Sequence, residues 1–292
     1  MFGINALLLV VVSVASCVFF EWGYRKLMKK TCTVGDLSAA VTGVRMAYCL
    51  PAGAPLWLPV IGAFFAIVLV KQLYGGLGKN FLNPALAARA FLFSWPVIMT
   101  TWTAPNFVYG ADVVTSATPL SWMHQGQLPE GISIMGAFLG TIGGSLGEVS
   151  ALALILGGAY LVWRKVISLR IPLSYILTVA VLTVIFPKGG DAISWMLYNL
   201  FSGGLMLGAI FMATDYATSP ITTNGQIIYG VGCGCLTVLI RYFGGYVEGV
   251  SYAILIMNVC VWLIDRYTMP RRFGVSKEDM KKAKAAKKEA AK

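Results

Sequence analysis

Charge, acids and histidine are all scarce in this sequence. Only 12% of its 292 residues are charged, 12 residues are Asp or Glu, and there is one histidine. A soluble domain usually carries about 25% charged residues, so an ordinary water-soluble globule is excluded. The single histidine leaves no histidine cluster for a metal, and we read His124 as an exposed polar residue rather than a ligand. No Gly-rich dinucleotide fingerprint occurs, which excludes a self-contained Rossmann-type domain. The six cysteines do not form a disulfide framework. Cys17, Cys49, Cys233, Cys235 and Cys260 fall within apolar stretches, and Cys32 falls in a loop. Their spacing does not support an iron–sulfur cluster held by this chain alone. Cys233-Gly-Cys235 reads as a pair of small residues on a packed helix.

What is present is apolar. Hydrophobic residues make up 58% of the chain, mean hydropathy is +0.74, and the 32 glycines suit close helix packing in lipid. Nine apolar stretches approach the roughly 20 residues needed to cross a ~30 Å hydrocarbon core. They are Ile4–Phe20, Leu37–Leu50, Leu56–Tyr74, Pro84–Trp102, Val149–Trp163, Pro172–Pro187, Ser194–Ala213, Gln226–Phe243 and Val250–Tyr267. Leu37–Leu50 is the weakest, being short and holding Arg45. Ile132–Leu146 reads as an interfacial or re-entrant piece. The fold class is therefore an all-α polytopic membrane protein.

Basic residues sort these spans by side. Nineteen Lys and Arg fall in loops or tail on one side, and only Lys188 and Arg241 fall opposite. The positive-inside rule makes the first side cytoplasmic. The C-terminus is then inside. The loop Thr103–Glu148, which holds no Lys or Arg, is then outside. The +11 net charge thus follows topology and does not argue for nucleic acid. The tail "SKEDMKKAKAAKKEAAK" reads as a solvated basic segment, with anionic lipid or a partner protein as the alternative.

Two pairs of stretches echo one another. "LVKQLYGG" at 69–76 resembles "LIRYFGG" at 239–245, and "TGVRMAYCL" at 42–50 parallels "SGGLMLGAI" at 202–210. Spans two, three and four then pair with seven, eight and nine. Matching spans are an odd number apart, so the halves are inverted. Such repeats place a ligand or ion path at their interface near mid-bilayer. Span six pairs with span one, and span five has no partner. We therefore expect a tenth span missing at the N-terminus. The organisation is 1–102 for an incomplete first half, 103–148 for an extracytoplasmic loop, 149–267 for the second half, and 268–292 for a basic tail.

Within that loop lies "ADVVTSATPL", residues 111–120, a polar stretch ending in Thr118-Pro119. On its own it reads as a helix N-cap followed by proline at the first helical position. Asp215, closing "FMATD", is costly at membrane depth and is a candidate on an ion route, with Asp36 or Asp265 as companions. An interfacial cap is the plainer reading of Asp215. Arg45 either pairs with an acid or approaches a cofactor.

"KQLYGGLGKNFLNPALAARAF", "DVVTSATPL", "MATDYATSPITTNGQIIYG" and "RYFGGYVEGVSYAILIMN" together resemble the D subunits of the Rnf complexes, along nearly the whole chain. These are ion-translocating ferredoxin:NAD oxidoreductases. The B subunits of the sodium-translocating NADH:quinone reductases are close relatives and the alternative assignment. The resemblance implies a urea-transporter-like fold of two inverted five-helix halves. It also implies a bacterial cytoplasmic membrane location, and electron transfer between ferredoxin and NAD coupled to Na+ or H+ movement. Partners follow from it: the other Rnf subunits, among them the G subunit as the second carrier of covalent flavin, a flavin transferase, and membrane lipid.

The family motif Asp-x-x-Ser/Thr-Gly-Ala-Thr carries FMN esterified to its last threonine. The matching positions are Asp112, Thr115, Ser116, Ala117 and Thr118, with Ser116 in place of the usual glycine. Thr118 is thus implied to be the phosphoester residue. Asn80 and Asn83 in "GKNFLNPA" match a region where relatives bind riboflavin non-covalently; a turn and helix cap is the competing reading. A flavin-free solute channel of the same fold is the rival from another class.

Overall fold

The structure is a computed structural model that describes residues 2–102, 118–129, 131–245 and 247–270. Among the described residues it is helical, apart from one isolated bridge between Pro51 and Ser145. The helices are α1 Gly3–Leu27, α2 Ser38–Tyr48, α3 Trp57–Gln72, α4 Pro84–Leu92, α5 Pro96–Met99, α6 Pro119–His124, α7 Ile134–Leu139, α8 Ala151–Trp163, α9 Arg170–Ile185, α10 Ala192–Phe201, α11 Leu205–Met212, α12 Thr223–Phe243 and α13 Val250–Thr268.

Every apolar stretch read from the sequence contains a helix, but few of these helices span alone. α1, α12 and α13 are long and apolar enough to cross a membrane, and α10 with α11 makes a fourth if the bent pair is one span. The expected span Pro84–Trp102 is interrupted. α4 stops at Leu92, and α5 begins at Pro96. Pro96 brings no N–H and disfavours helical backbone at Trp95, so the break has a local cause. The expected span Ser194–Ala213 is bent by 60° between α10 and α11. There Gly203 takes φ +73, a left-handed conformation open to glycine at no steric cost. α3 and α11 each end in a wider turn. Leu73 N–H reaches Val68 O at 3.1 Å and Ala213 N–H reaches Gly208 O at 2.7 Å, each five residues back.

α9 packs between α10 and α12, and α1 packs against α2 and α3. Ile171, Tyr175, Val179 and Thr183 on α9 are buried, whereas Leu173, Leu177, Val181 and Ile185 are each about half exposed. An exposed stripe of large apolar side chains at helical spacing is stable against hydrocarbon, not against water. α13 repeats the pattern, burying Ala253 and Ile254 and exposing Val259, Trp262 and Leu263. With the low charge, these faces make the chain membrane-embedded.

Glycines set how closely the helices approach. Gly230 and Gly234, four apart on α12, face Ser174 and Thr178 of α9. A Cβ on Gly234 would lie 2.6 Å from Thr178 Cβ and 3.1 Å from the Tyr175 carbonyl oxygen. A β-branched neighbour cannot swing away cheaply. Gly234→Ala should therefore cost about 1–3 kcal/mol. Gly23 on α1 meets nothing within 4 Å, so Gly23→Ala should stabilise by up to about 1 kcal/mol through helix propensity. Opposite shifts in thermal midpoint, measured in the same detergent, check the pair. Equal shifts would show that the α9–α12 approach is not tight.

Candidate functional site

Thr118 stands at the head of α6, with extended backbone (φ −70, ψ 149) and Pro119 at the first helical position. This is the N-cap arrangement the sequence suggests, but the hydroxyl makes no cap hydrogen bond. α6 has only six residues, so its dipole contributes little. Thr118 instead lines a narrow, partly open cleft with about 10 Å³ of room, enough for one water. Gly143, Gly144 and Gly203 give the cleft bare backbone walls, and Glu148 and Glu248 supply its charge. Asp112, Thr115, Ser116 and Ala117 lie outside the described residues.

The cleft borders a buried ionic cluster that the sequence pattern does not single out. Arg89 on α4 is 2% exposed, and its Nη2 lies 3.0 Å from Glu148 Oε1 and bonds Glu248 Oε2 as well. Glu148 precedes α8, and Glu248 sits in the loop between α12 and α13. One guanidinium therefore ties together three separate parts of the chain. Arg241, buried near the end of α12, completes the charge balance. Its guanidinium donates to backbone oxygens of Asn199 (2.6 Å), Ser202 and Glu248.

The helix bend exists in part to admit this cluster. A Cβ on Gly204 would lie 2.6 Å from Glu148 Oε1. Ser202 turns its carbonyl to Arg241. The sequence does hold one signal: Arg89 is an ionisable residue inside an apolar stretch, and such residues are paired or functional.

Burial pushes the Glu248 carboxyl up to about 7; Arg89 opposes the shift, Glu148 adds to it, and Arg241 opposes it. The sign matters. Between the ordinary carboxyl value and about 7, the folded chain holds this proton more tightly than the unfolded chain does. The group's stabilising contribution is therefore full below the ordinary value and is lost as pH rises through about 7.

A second polar network lies around Lys71. The charge count treats Lys71 and Arg241, near the ends of the stretches Leu56–Tyr74 and Gln226–Phe243, as loop residues, but both are buried, at 2% and 3% exposure. Lys71 Nζ bonds Glu21 Oε2 at 2.8 Å and Ser38 Oγ at 2.5 Å, and Thr33 Oγ1 donates to Glu21 Oε1 at 2.6 Å. Asp36 accepts from Ser38 N–H and Oγ. Burial pushes the Asp36 carboxyl up, but the Ser38 bonds, with Lys71 and Arg25, outweigh this and hold it below its ordinary value.

The other expected route residues lie apart from one another. Asp215 pairs with Arg45 at 2.8 Å, the acid partner that one reading of Arg45 expects. Asp265 accepts from Ile221 N–H and from Thr222 N–H and Oγ1, bracing the start of α12. Among the described residues no hydrogen bond or ion pair joins Asp36, Asp215 and Asp265. Asn83 is fully buried and acts as the helix cap. Its Oδ1 accepts from Ala85 N–H at 3.1 Å, and its amide donates to Met212 O at 3.2 Å. Asn80, 4% exposed, donates to Leu82 O. His124 is half-buried, with Nδ1 3.0 Å from the Arg241 carbonyl oxygen, rather than exposed as expected.

Comparison with known proteins points the same way. A family model described as "NQR2, RnfD, RnfE family" matches residues 1–274. The chain is 52% identical over 279 residues to the D subunit of the Na(+)-translocating ferredoxin:NAD(+) oxidoreductase complex of Acetobacterium woodii, covering 94% of this chain and 85% of that protein. It is 44% identical to the D subunit of the proton-translocating ferredoxin:NAD(+) oxidoreductase complex of Clostridium ljungdahlii, with the same coverage. It is 40% identical to the D subunit of the ion-translocating oxidoreductase complex of Stutzerimonas stutzeri, covering 82% of this chain and 76% of that protein. A match along nearly the whole length, with relatives this similar, places the chain in the NQR2, RnfD, RnfE family.

Proposed function

We propose that this chain is a membrane subunit of an ion-translocating ferredoxin:NAD oxidoreductase complex, and that it relays electrons through FMN esterified to Thr118. The observation that carries the reading is Thr118 itself. Its hydroxyl is not spent on capping α6, and it lines a glycine-walled cleft in a chain whose relatives are named as subunits of such complexes. Attachment needs that spare oxygen. Thr118 Oγ would bond the flavin phosphate of FAD as the pyrophosphate bond breaks, AMP leaving and the hydroxyl proton passing to solvent. A threonine hydroxyl is too weak a nucleophile to do this unaided, hence the separate transferase. Bound there, FMN would pass electrons one at a time.

The Thr118 loop is assigned to the extracytoplasmic side and the C-terminus to the cytoplasm. Lys71 and Arg241 are buried and drop out of the charge count, leaving Lys188 as the basic residue opposite the remaining cluster. The inverted-repeat reading draws support from the same two residues. The matching words "LVKQLYGG" and "LIRYFGG" each bury their cation at a helix end, and α1 meets α2 and α3 much as α9 meets α10 and α12. Repeats of this kind suit an ion path at their interface, and Asp215, Asp36 and Asp265 remain its proposed carboxylates. A riboflavin at Asn80 and Asn83 fits less well, since both polar ends of Asn83 are already bonded.

The test is the intact mass of the protein from a host that has the transferase, with ultraviolet inspection of its denaturing-gel band. The expected result is a fluorescent band, heavier than the bare chain by one esterified FMN. A dark band of unmodified mass would end the relay reading and favour the flavin-free channel.

A further inference from the structure

Seven buried polar side-chain atoms find no hydrogen-bond partner among the described residues, and four of them are Arg89 Nε, Ser145 Oγ, Ser202 Oγ and Ser251 Oγ. These four gather around the ionic cluster. Arg89 is its centre. Ser145 N–H points at Glu148 Oε2 at 3.4 Å, Ser202 O accepts from Arg241, and Ser251 is the second residue of α13, three residues after Glu248. Buried hydroxyls are nearly always satisfied, and water is the partner small enough to reach them in so tight a place. The cluster is also not sealed: Glu248 is 16% exposed, and both carboxylates line the Thr118 cleft.

We propose that Glu248 is a proton-binding site that exchanges with the Thr118 cleft, while Glu148 keeps Arg89 paired. A single proton accounts for the step: the Glu248 carboxylate takes H+ from cleft water and becomes the acid, and no electron moves. The charged and titratable groups that face it are Arg89 from α4, Glu148 from the segment before α8, and Arg241 from α12. The Cys49 thiol at the end of α2 lies beside Arg89. With Glu248 ionised the two arginines and two glutamates balance. With Glu248 protonated the cluster carries one positive charge. It then favours an added negative charge in the cleft; this last consequence rests on the flavin reading of Thr118. The upward shift of the carboxyl agrees with the geometry.

The test is infrared difference spectroscopy on the assembled complex in membranes, stepped through pH. The expected result is a protonated-carboxyl carbonyl band that grows as pH falls through neutrality. Glu248→Gln should remove it entirely. Glu248→Asp, which keeps the acid with a shorter reach, should retain the band with a displaced midpoint. Thr118→Ala should keep the band, since the proton site does not need the flavin, with its midpoint lowered once the attached negative charge is gone. A band unchanged in Glu248→Gln overturns the proposal, as does the absence of any carboxyl band titrating near neutrality in the wild type. If Glu248→Gln does not assemble, a midpoint unmoved in Glu248→Asp overturns it instead. A dark gel with a titrating band would sink the flavin reading and leave this one standing.

Discussion

Thr118→Ala should abolish covalent flavin fluorescence in the denatured protein while leaving the chain in the membrane at normal abundance. Both halves follow from one observation. Removing a working N-cap hydroxyl typically costs about 1 kcal/mol, but the Thr118 hydroxyl makes no cap bond, so little stability is at stake. The substitution therefore isolates the chemistry. Thr118→Ser restores an oxygen on the same backbone and should restore at least part of the label. The motif offers other hydroxyls at Thr115 and Ser116, and these make the experiment decisive. If fluorescence survives Thr118→Ala and vanishes in Thr115→Ala or Ser116→Ala, the attachment point is wrong though the flavin is real. If fluorescence survives in all three, the motif reading itself fails. Peptide mass mapping of the wild type checks the assignment without mutation.

The parts of this molecule that were legible in its sequence are those ruled by local composition. Apolar stretches became helices because lipid leaves backbone groups no other partner. Thr118-Pro119 became a helix start because proline lacks the N–H that the first helical position does not need. Asn83-Pro84 became one for the same reason. The breaks were less legible. Ser202-Gly203-Gly204 reads as a tolerable glycine pair inside an apolar run until the arginines and Glu148 that press on it are known.

The charges were least legible, because burial is a tertiary property. Lys71 and Arg241 lie near glycines at the ends of apolar runs, where a loop is the natural reading. What draws them inward is an acid 50 residues away for Lys71, and carbonyls about 40 residues away for Arg241. Arg89, Glu148 and Glu248 are separated by 59 and 159 residues from arginine to each acid, so nothing local announced them as a unit. Arg89 alone carried a signal, from its place in an apolar span.

That unit predicts the largest loss of stability. Arg89→Ala should destabilise the chain by about 3–5 kcal/mol or more, the usual cost of removing one partner of a buried pair, because it strands the Glu148 and Glu248 charges together. Such a loss exhausts much of a typical folding margin, so the readout is a collapse in yield and thermal midpoint of the detergent-solubilised protein. Arg89→Lys keeps the charge but not the planar fork, and should fall between the two. A triple variant separates structure from function. Arg89→Met with Glu148→Gln and Glu248→Gln removes all three charges, and neutral replacement of a buried ionic group often costs little. It leaves Arg241 as one buried positive charge held by the carbonyls of Asn199, Ser202 and Glu248, so that protein should recover part of the midpoint lost in Arg89→Ala. If the ions serve only to hold three segments together, recovery of stability will bring back ion-coupled electron transfer in the reassembled complex. If Glu248 carries a proton, the triple variant will be stable yet deficient in pH-dependent turnover. A triple variant as unstable as Arg89→Ala would instead mean that the packing around Arg89, rather than its charge, holds this side of the molecule.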